Sequence, residues 1–398
     1  MDCVGLPCDV AIFGGGAAGL WTLDVLVARG LSTVLLESDR LGGGQTVCAQ
    51  GIIHGGMKYT LNGILSGSAA ALRGMPDHWR ACLAGRREPH LTATRVRADH
   101  CYLWRTGSAR SRLGMIGARI GLRSKPQPVP AGQRPEPLAS CPGVARIAEP
   151  VIDPVSLVNE LGRRHHRCIM KVDATQGIAM DHDRGRVTSI MLSAPGGGDR
   201  CRIEPGTVVL TAGAGNADLA AMAGIGRAVP QQQRPLHMLM MRGGLPELNG
   251  HCVDGARTRV TITSDTDTAG RRVWQIGGQI AEDGVEMDSQ TLVRHGAAEI
   301  RAVLPDLDLG GVEWGTYRIE RVEAAGGGRP DDVSVTAVHN VVVAWPTKLA
   351  LVPRLARRIT ELVPGPTQTG HAVAPDGWPR PGLAKPPWET QEQWSSDA

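Results

Sequence analysis

Three glycines at fixed spacing, Gly14, Gly16 and Gly19, follow a short apolar run, Asp9–Phe13, and open a stretch of helical periodicity. A second apolar run ends at Glu37, eighteen residues beyond Gly19. This arrangement suits a dinucleotide. Gly14 permits a tight turn, Gly16 lets backbone approach a pyrophosphate, and Gly19 allows close packing of helix on strand. Backbone N–H groups at Gly16, Ala17 and Ala18 open the helix, where unpaired donors and the helix dipole favour phosphate. Glu37, with Ser38 beside it, can accept hydrogen bonds from ribose hydroxyls.

The elements that must position these groups follow from periodicity. Ala17–Arg29 carries Leu20, Leu23 and Val27 on one helical stripe, with Gly30 at the C-cap, and Thr33–Leu36 is a buried strand. Ser38–Gly56 reads as a glycine-rich loop, and residues 62–83 as a helix broken near Gly74 and Pro76. Alternation marks strands in Arg95–Trp104 and around Met115–Leu122. The six prolines between Pro126 and Pro142 predict a linker or a flexible loop. Asp153-Pro154 caps a helix running to His165, and two strands flank a turn at Gly196–Gly198. Thr207–Ala212 is a buried strand ending in glycine. Alternating strands follow at Leu236–Arg242, Arg259–Ser264, Val273–Gly277 and Gly311–Ile319, with a helix over Ser289–Leu304. Val341–Trp345 is the last strand, Thr347–Leu362 the last helix, and a Pro/Gly-rich tail wraps the surface from Pro364.

The expected fold class is therefore α/β, with antiparallel β in two inserts. Residues 1–75, 143–228 and 335–365 form a Rossmann-type nucleotide-binding domain, and residues 76–142 and 229–334 a substrate domain. Residues 366–398 are tail.

Composition narrows the classes. The chain has 398 residues, 42% hydrophobic and 21% charged, which excludes collagen, coiled coil and wholesale disorder. The net charge of +4 comes from scattered residues, with no basic stripe for nucleic acid and no polybasic anchor. Only five of the 43 basic residues are lysines, and nine Trp stand beside one Phe and three Tyr. Nine cysteines show neither CxxC nor zinc spacing, as in a reducing cytosol. No apolar run approaches a membrane span, so the expected location is cytoplasmic.

Past Glu37, where an NAD enzyme would enter another helix, the chain instead continues as Gly44-Gln45-Thr46 through Gly51-Ile52-Ile53-His54-Gly55-Gly56. Residues 9–59 resemble the D-amino-acid oxidase/glycerol-3-phosphate dehydrogenase superfamily of flavoproteins. The stretch from Gln50 to Tyr59 is similar to the glycerol-3-phosphate dehydrogenase version, with a basic residue at Lys58. The resemblance implies FAD as cofactor and a D-amino-acid oxidase-like pair of domains. It puts Gln45, Thr46, Ala49, Gln50, Gly51 and Ile52 along the pyrophosphate and flavin, Val172 by the adenine, and Ala212 and Gly213 at a strand end touching FAD. It also aims the helix opening at Thr347, Lys348 and Leu349 toward the flavin, although Trp345-Pro346-Thr347-Lys348 replaces the family's closing glycine-rich segment. A disulfide reductase would need CxxxxC and a second GxGxxG, and an aromatic hydroxylase a late Gly-Asp motif; neither is present.

Three residues are expected to carry chemistry beside the flavin. His54 can take a substrate hydroxyl proton as hydride departs; a covalent link to flavin and a structural role are the alternatives. Arg318, in Trp314-Gly315-Thr316-Tyr317-Arg318, resembles the family's Gly-x-Arg anion site; the alternative is an ordinary solvated arginine. Lys58 would hold an anionic group or promote reaction of reduced flavin with oxygen. Tyr59 and Trp274 could line the pocket, with core packing the other role for Trp274. The expected activity is oxidation of a CH–OH carbon in a small anionic substrate, with oxygen or another acceptor reoxidising the flavin. Amine oxidation and a non-catalytic FAD-binding module are the alternatives.

Overall fold

Residues 4–56, 67–107, 126–175, 177–254, 257–326, 328 and 330–396 are described by a computed structural model of the chain. The first strand, β1 (Val4–Phe13), runs into helix α1 (Ala17–Ala28) and returns as β2 (Thr33–Glu37). Strand β1 pairs in parallel with β2 and with Arg200–Leu210, β2 with Ile169–Lys171, and Arg200–Leu210 with Val341–Trp345. An antiparallel hairpin, Ile178–Asp183 and Arg186–Ser193, extends one edge, and Ser334–Val338 adds to Val341–Trp345. Parallel strands covered on both faces need consecutive apolar residues. Val10–Phe13, Val34–Leu36, Val208–Leu210 and Val341–Val343 supply them, all buried.

Helix α1 is apolar nearly all round because it is covered on more than one side. Leu20, Leu23 and Leu26 pack with Leu157 and Leu161 of the Pro154–Arg164 helix and Leu355 and Ile359 of the Val352–Leu362 helix. The side chain of Asp153 accepts from Val155 N and caps the first of these, as the Asp-Pro pair predicts.

A second sheet runs, edge to edge, through Glu313–Ala324, Gln231–Gly243, Arg272–Gly277, Arg257–Thr266, Gly250–Asp254, Cys101–Arg105, Gly143–Ile147 and Gln127–Pro128. It is antiparallel except where Gly250–Asp254 meets Cys101–Arg105. One face buries Leu239, Ile262, Trp274 and Ile276 under Leu292, Ala297 and Ile300 of the Ser289–Val303 helix. The opposite face, carrying Met238, Met240, Gln275 and Tyr317, is turned toward the Cys48–Gln50 loop. Among the described residues, no helix is long and apolar enough to cross a membrane.

Several elements differ from the sequence expectation. Gly143–Ile147 pairs with Cys101–Arg105, so it stands in the second sheet, not the first. The proline-rich stretch after Pro126 is packed: Val129, Leu138 and Cys141 are buried around two single 3-10 turns. The last helix begins at Val352 after a 3-10 turn, because Thr347 takes φ +59 and Lys348 N bonds back to Pro346 O. The tail does more than wrap the surface. Gly382–Leu383 pairs with Arg40–Leu41, Ser395 pairs with Trp314, and Trp378 and Trp388 are buried. Proline and glycine keep the regular elements there to short pieces, Gly382–Leu383 and Pro387–Thr390, yet the large indole surfaces still favour burial. Strand Gly250–Asp254 is an addition to the sequence reading, and the stretch around Met115–Leu122 lies outside the described residues.

Candidate active site

A cavity of about 970 Å³ is lined by residues of both sheets and of the loop after β2. That is at the upper end of ligand sites, ~300–1,000 Å³. It gathers Gly14, Gly16, Ala17, Ala18, Glu37, Ser38, Gln45, Thr46, Ala49, Gln50, Gly51, Ile52, Val172, Ala212, Gly213, Thr347, Lys348 and Leu349. Gly19 stands one layer behind, where a Cβ would come within 1.9 Å of Gly14 O. Gly14 has φ +101 and lies so close to the strand end that a Cβ would meet Thr211 O at 2.6 Å.

Several features of this wall are those of a dinucleotide cradle. Helix α1 has no acidic residue in its first turn, and of its opening N–H groups Ala17 N donates to Thr46 Oγ1 (3.1 Å), so the positive helix end still faces the cavity. Glu37 is held by Gly15 N (2.6 Å) and Asp39 N (2.8 Å). Burial pushes its carboxyl above the usual value, against the pull of those donors. At the other end, Thr347 Oγ1 and Trp345 Nε1 are buried without a hydrogen-bond partner among the described residues. Thr347 also holds a left-handed backbone conformation that costs energy in a non-glycine residue.

The loop that carries His54 is clamped on both sides. Gln50 Nε2 donates to Thr261 O (2.9 Å) and Gln275 O (2.8 Å), and Cys48 O accepts from Gln275 Nε2 and Tyr317 Oη. Gly51, Ile52 and Ile53 run antiparallel to Pro150–Ile152 through Ile52↔Val151, Ile53 N to Pro150 O and Ile152 N to Gly51 O. This register sets Glu149 beside His54. Glu149 Oε2 lies 3.0 Å from His54 Nδ1, and Oε1 accepts from Gly55 N at 2.7 Å. Behind them His251 Nε2 is 3.9 Å from the same Oε2, and its Nδ1 is 2.9 Å from Thr261 Oγ1. The His54 side chain is 17% exposed and those of Glu149 and His251 4% and 1%, so only His54 meets the cavity. Their ligating atoms fall within 4.8 Å of one another, a set of the kind that can hold a metal ion.

Arg318 is placed differently from the expectation. It contributes to the cavity wall, but its guanidinium donates to Val285 O and Met287 O, both at 2.6 Å. Thr316, two residues earlier, reaches Ser289 on that same side, whereas Tyr317 between them reaches Cys48. Strand alternation thus turns Arg318 toward the helices and Tyr317 toward the loop. Burial pushes the Tyr317 hydroxyl far up and the Cys48 thiol to about 11. Trp274 is core, its Nε1 donating to Pro246 O. Lys58 and Tyr59 lie outside the described residues. Sequence reasoning missed Glu149 and His251, which carry no local motif, and passed over Tyr317 beside Arg318.

A glycine turn at an open helix end, an acid closing the second strand and a histidine loop against an antiparallel sheet define a flavin-dependent oxidoreductase. The family model described as FAD dependent oxidoreductase (DAO) matches residues 9–362, and the chain belongs to that family. FAD is accordingly its cofactor, and the cradle fits it. The chain is 36% identical over 394 residues to the probable FAD-dependent oxidoreductase PA4991 of Pseudomonas aeruginosa, covering 96% of this chain and 98% of the relative. The crystal structure of PA4991 superposes with a TM-score of 0.81 at 32% identity, over 98% of this chain and 99% of that one. Glycine oxidase from Geobacillus kaustophilus (TM-score 0.66, 16% identity, 92% and 96% covered) shares the fold. So does L-alpha-glycerophosphate oxidase from Mycoplasma pneumoniae (0.61, 14%, 94% and 97%). Mouse mitochondrial glycerol-3-phosphate dehydrogenase is 34% identical over 87 residues, 21% of this chain and 12% of that protein.

Proposed function

We propose that this enzyme oxidises a CH–OH carbon of a small anionic molecule to a carbonyl, with His54 taking the hydroxyl proton. The supporting observation is the place of His54: among the described residues it is the one histidine in the cavity wall, and a carboxylate stands behind its Nδ1. FAD, when bound, supplies the acceptor for the hydride, two electrons and a proton. Removing the hydroxyl proton lets the C–H bond break toward a carbonyl without building positive charge on oxygen. An amine with a free lone pair would not require that base.

The anionic part of the reading rests on other cations than Arg318. Arg257, Arg321 and Lys348 share the cavity wall with His54, Arg321 paired with Glu282 (3.3 Å) and Lys348 Nζ donating to Asp331 O (3.4 Å). Two of the similar proteins are named for glycerol phosphates, and a phosphate-bearing alcohol fits the same reading. Gly14, Gly16 and the first turn of α1 would hold the pyrophosphate, and Glu37 a ribose. Oxygen or another acceptor then reoxidises the enzyme.

Anaerobic bleaching of the flavin band with sn-glycerol 3-phosphate, short 2-hydroxy acids and amino acids tests the proposal. Hydroxylated anions should reduce the flavin, and His54→Gln should slow that reduction by about 10²–10⁴. Reduction by amino acids alone, or an unchanged rate in His54→Gln, would sink it.

A further inference from the structure

We infer that Glu149 is the positioning residue for His54: it fixes the imidazole as the tautomer with its proton on Nδ1, so that Nε2 carries the lone pair. The inference rests on the reading of His54 as base and extends it to a residue that no local motif marks. An ionised carboxylate only accepts hydrogen bonds, so a ring nitrogen 3.0 Å from Glu149 Oε2 has to be the donor. The second oxygen takes Gly55 N–H at 2.7 Å. One carboxylate therefore grips the side chain of His54 and the backbone of the next residue, setting both ring orientation and loop position.

The surroundings hold Glu149 in place. Its side chain is 4% exposed, and its backbone N–H bonds to Ile147 O in a tight turn at the end of the Gly143–Ile147 strand. The Ile52↔Val151 bridge holds that turn against the loop. His251, 1% exposed and with its ring centroid 5.6 Å from that of His54, closes the far side and is itself anchored on Thr261 Oγ1. A buried acceptor with fixed donors is what a histidine base needs in order to keep one tautomer through turnover.

Glu149→Gln tests this on the FAD-loaded enzyme. The carboxamide oxygen can still accept from Gly55 N, but its NH2 must then face Nδ1, which forces the proton to Nε2. Histidine ring 15N shifts read the tautomer directly, and the signal missing in His54→Gln assigns it. The expected result is Nδ1–H in the wild type and Nε2–H in Glu149→Gln. In parallel, the maximal rate of flavin reduction should fall by about 10²–10⁴ with KM changed less than about threefold. Nε2–H in the wild type, or an unchanged tautomer in Glu149→Gln, would overturn the inference. The wild-type measurement decides even if the glutamine variant does not fold. If the tautomers are as expected but His54→Gln reduces flavin at the wild-type rate, the base reading fails and the positioning stands.

Discussion

Alanine at position 51 would sit at φ +78 with its Cβ 2.0 Å from Ile152 O, whereas at Gly30, with φ +82, a Cβ meets nothing within 4 Å. The two substitutions share a backbone cost and differ in the contact. Placing alanine in the left-handed region costs about 1–2 kcal/mol. At position 51 the contact must also open to at least 3.0 Å, which strains or breaks the 2.9 Å bond from Ile152 N to Gly51 O. Losing that buried bond and its packing adds roughly 2–3 kcal/mol. With an unfolding entropy of about 2.1 cal/mol/K per residue, 398 residues give about 1.2 °C per kcal/mol. Gly30→Ala should then melt about 1–3 °C below wild type and Gly51→Ala about 4–6 °C below, followed by flavin fluorescence. Activity should separate them further. Gly51→Ala moves the strand pair that holds His54 beside Glu149, and displacement of a base by about 1 Å can cost ~10²-fold in rate; Gly30→Ala leaves that pair untouched. Equal melting shifts together with equal turnover would refute the claim that the Gly51–Ile152 approach shapes the site.

Two further outcomes follow from the electrostatics. Burial raises the Asp24 carboxyl, but bonds to His165 Nε2 (2.7 Å) and Arg164 Nη1 (2.8 Å) outweigh it, leaving the group below its ordinary value. Its stabilisation is therefore full above about pH 4 and is lost as pH falls through the depressed native value. Asp24→Asn should lower the melting temperature at about pH 7 and approach wild type in melts taken below about pH 4. Cys48 lines the cavity, yet burial holds its thiol at about 11. A maleimide at about pH 8 should leave Cys48 unlabelled in the native protein and label it once denatured, as peptide mapping would show.

The nucleotide half of the molecule was legible because its signals are local. A strand, three glycines, a helix and an acid all lie within Asp9–Glu37, and each spacing has a steric reason. His54 was legible for the same reason, since the glycines around it mark a loop that backbone alone must shape. Glu149 and His251 carry no such mark. They meet His54 through the Ile52↔Val151 bridge and through the parallel pairing of Gly250–Asp254 with Cys101–Arg105, both contacts between distant segments. Arg318 shows how narrow the margin is. A strand changes face at every residue, so an assignment one position off exchanges a side chain aimed at the loop for one held on Val285 and Met287. The expected domain boundary at residue 143 had no local signal to place it, since Gly143–Ile147 joins the second sheet through pairing with the distant Cys101–Arg105.

The stitched tail has a thermodynamic consequence. Trp378 lies in the apolar core of the first sheet and donates to Lys171 O, while Trp388 packs on Met240 and Val273 of the second. Glu389 binds Thr268, the Arg242 guanidinium stacks 4.0 Å from the Trp394 ring centroid, and Ser395 zips onto Trp314. A single stretch of chain thus spans both sheets beyond the point, residue 362, where the family match ends. Neither sheet can lose its structure without stripping cover from the other, so the strap couples their melting into one cooperative event.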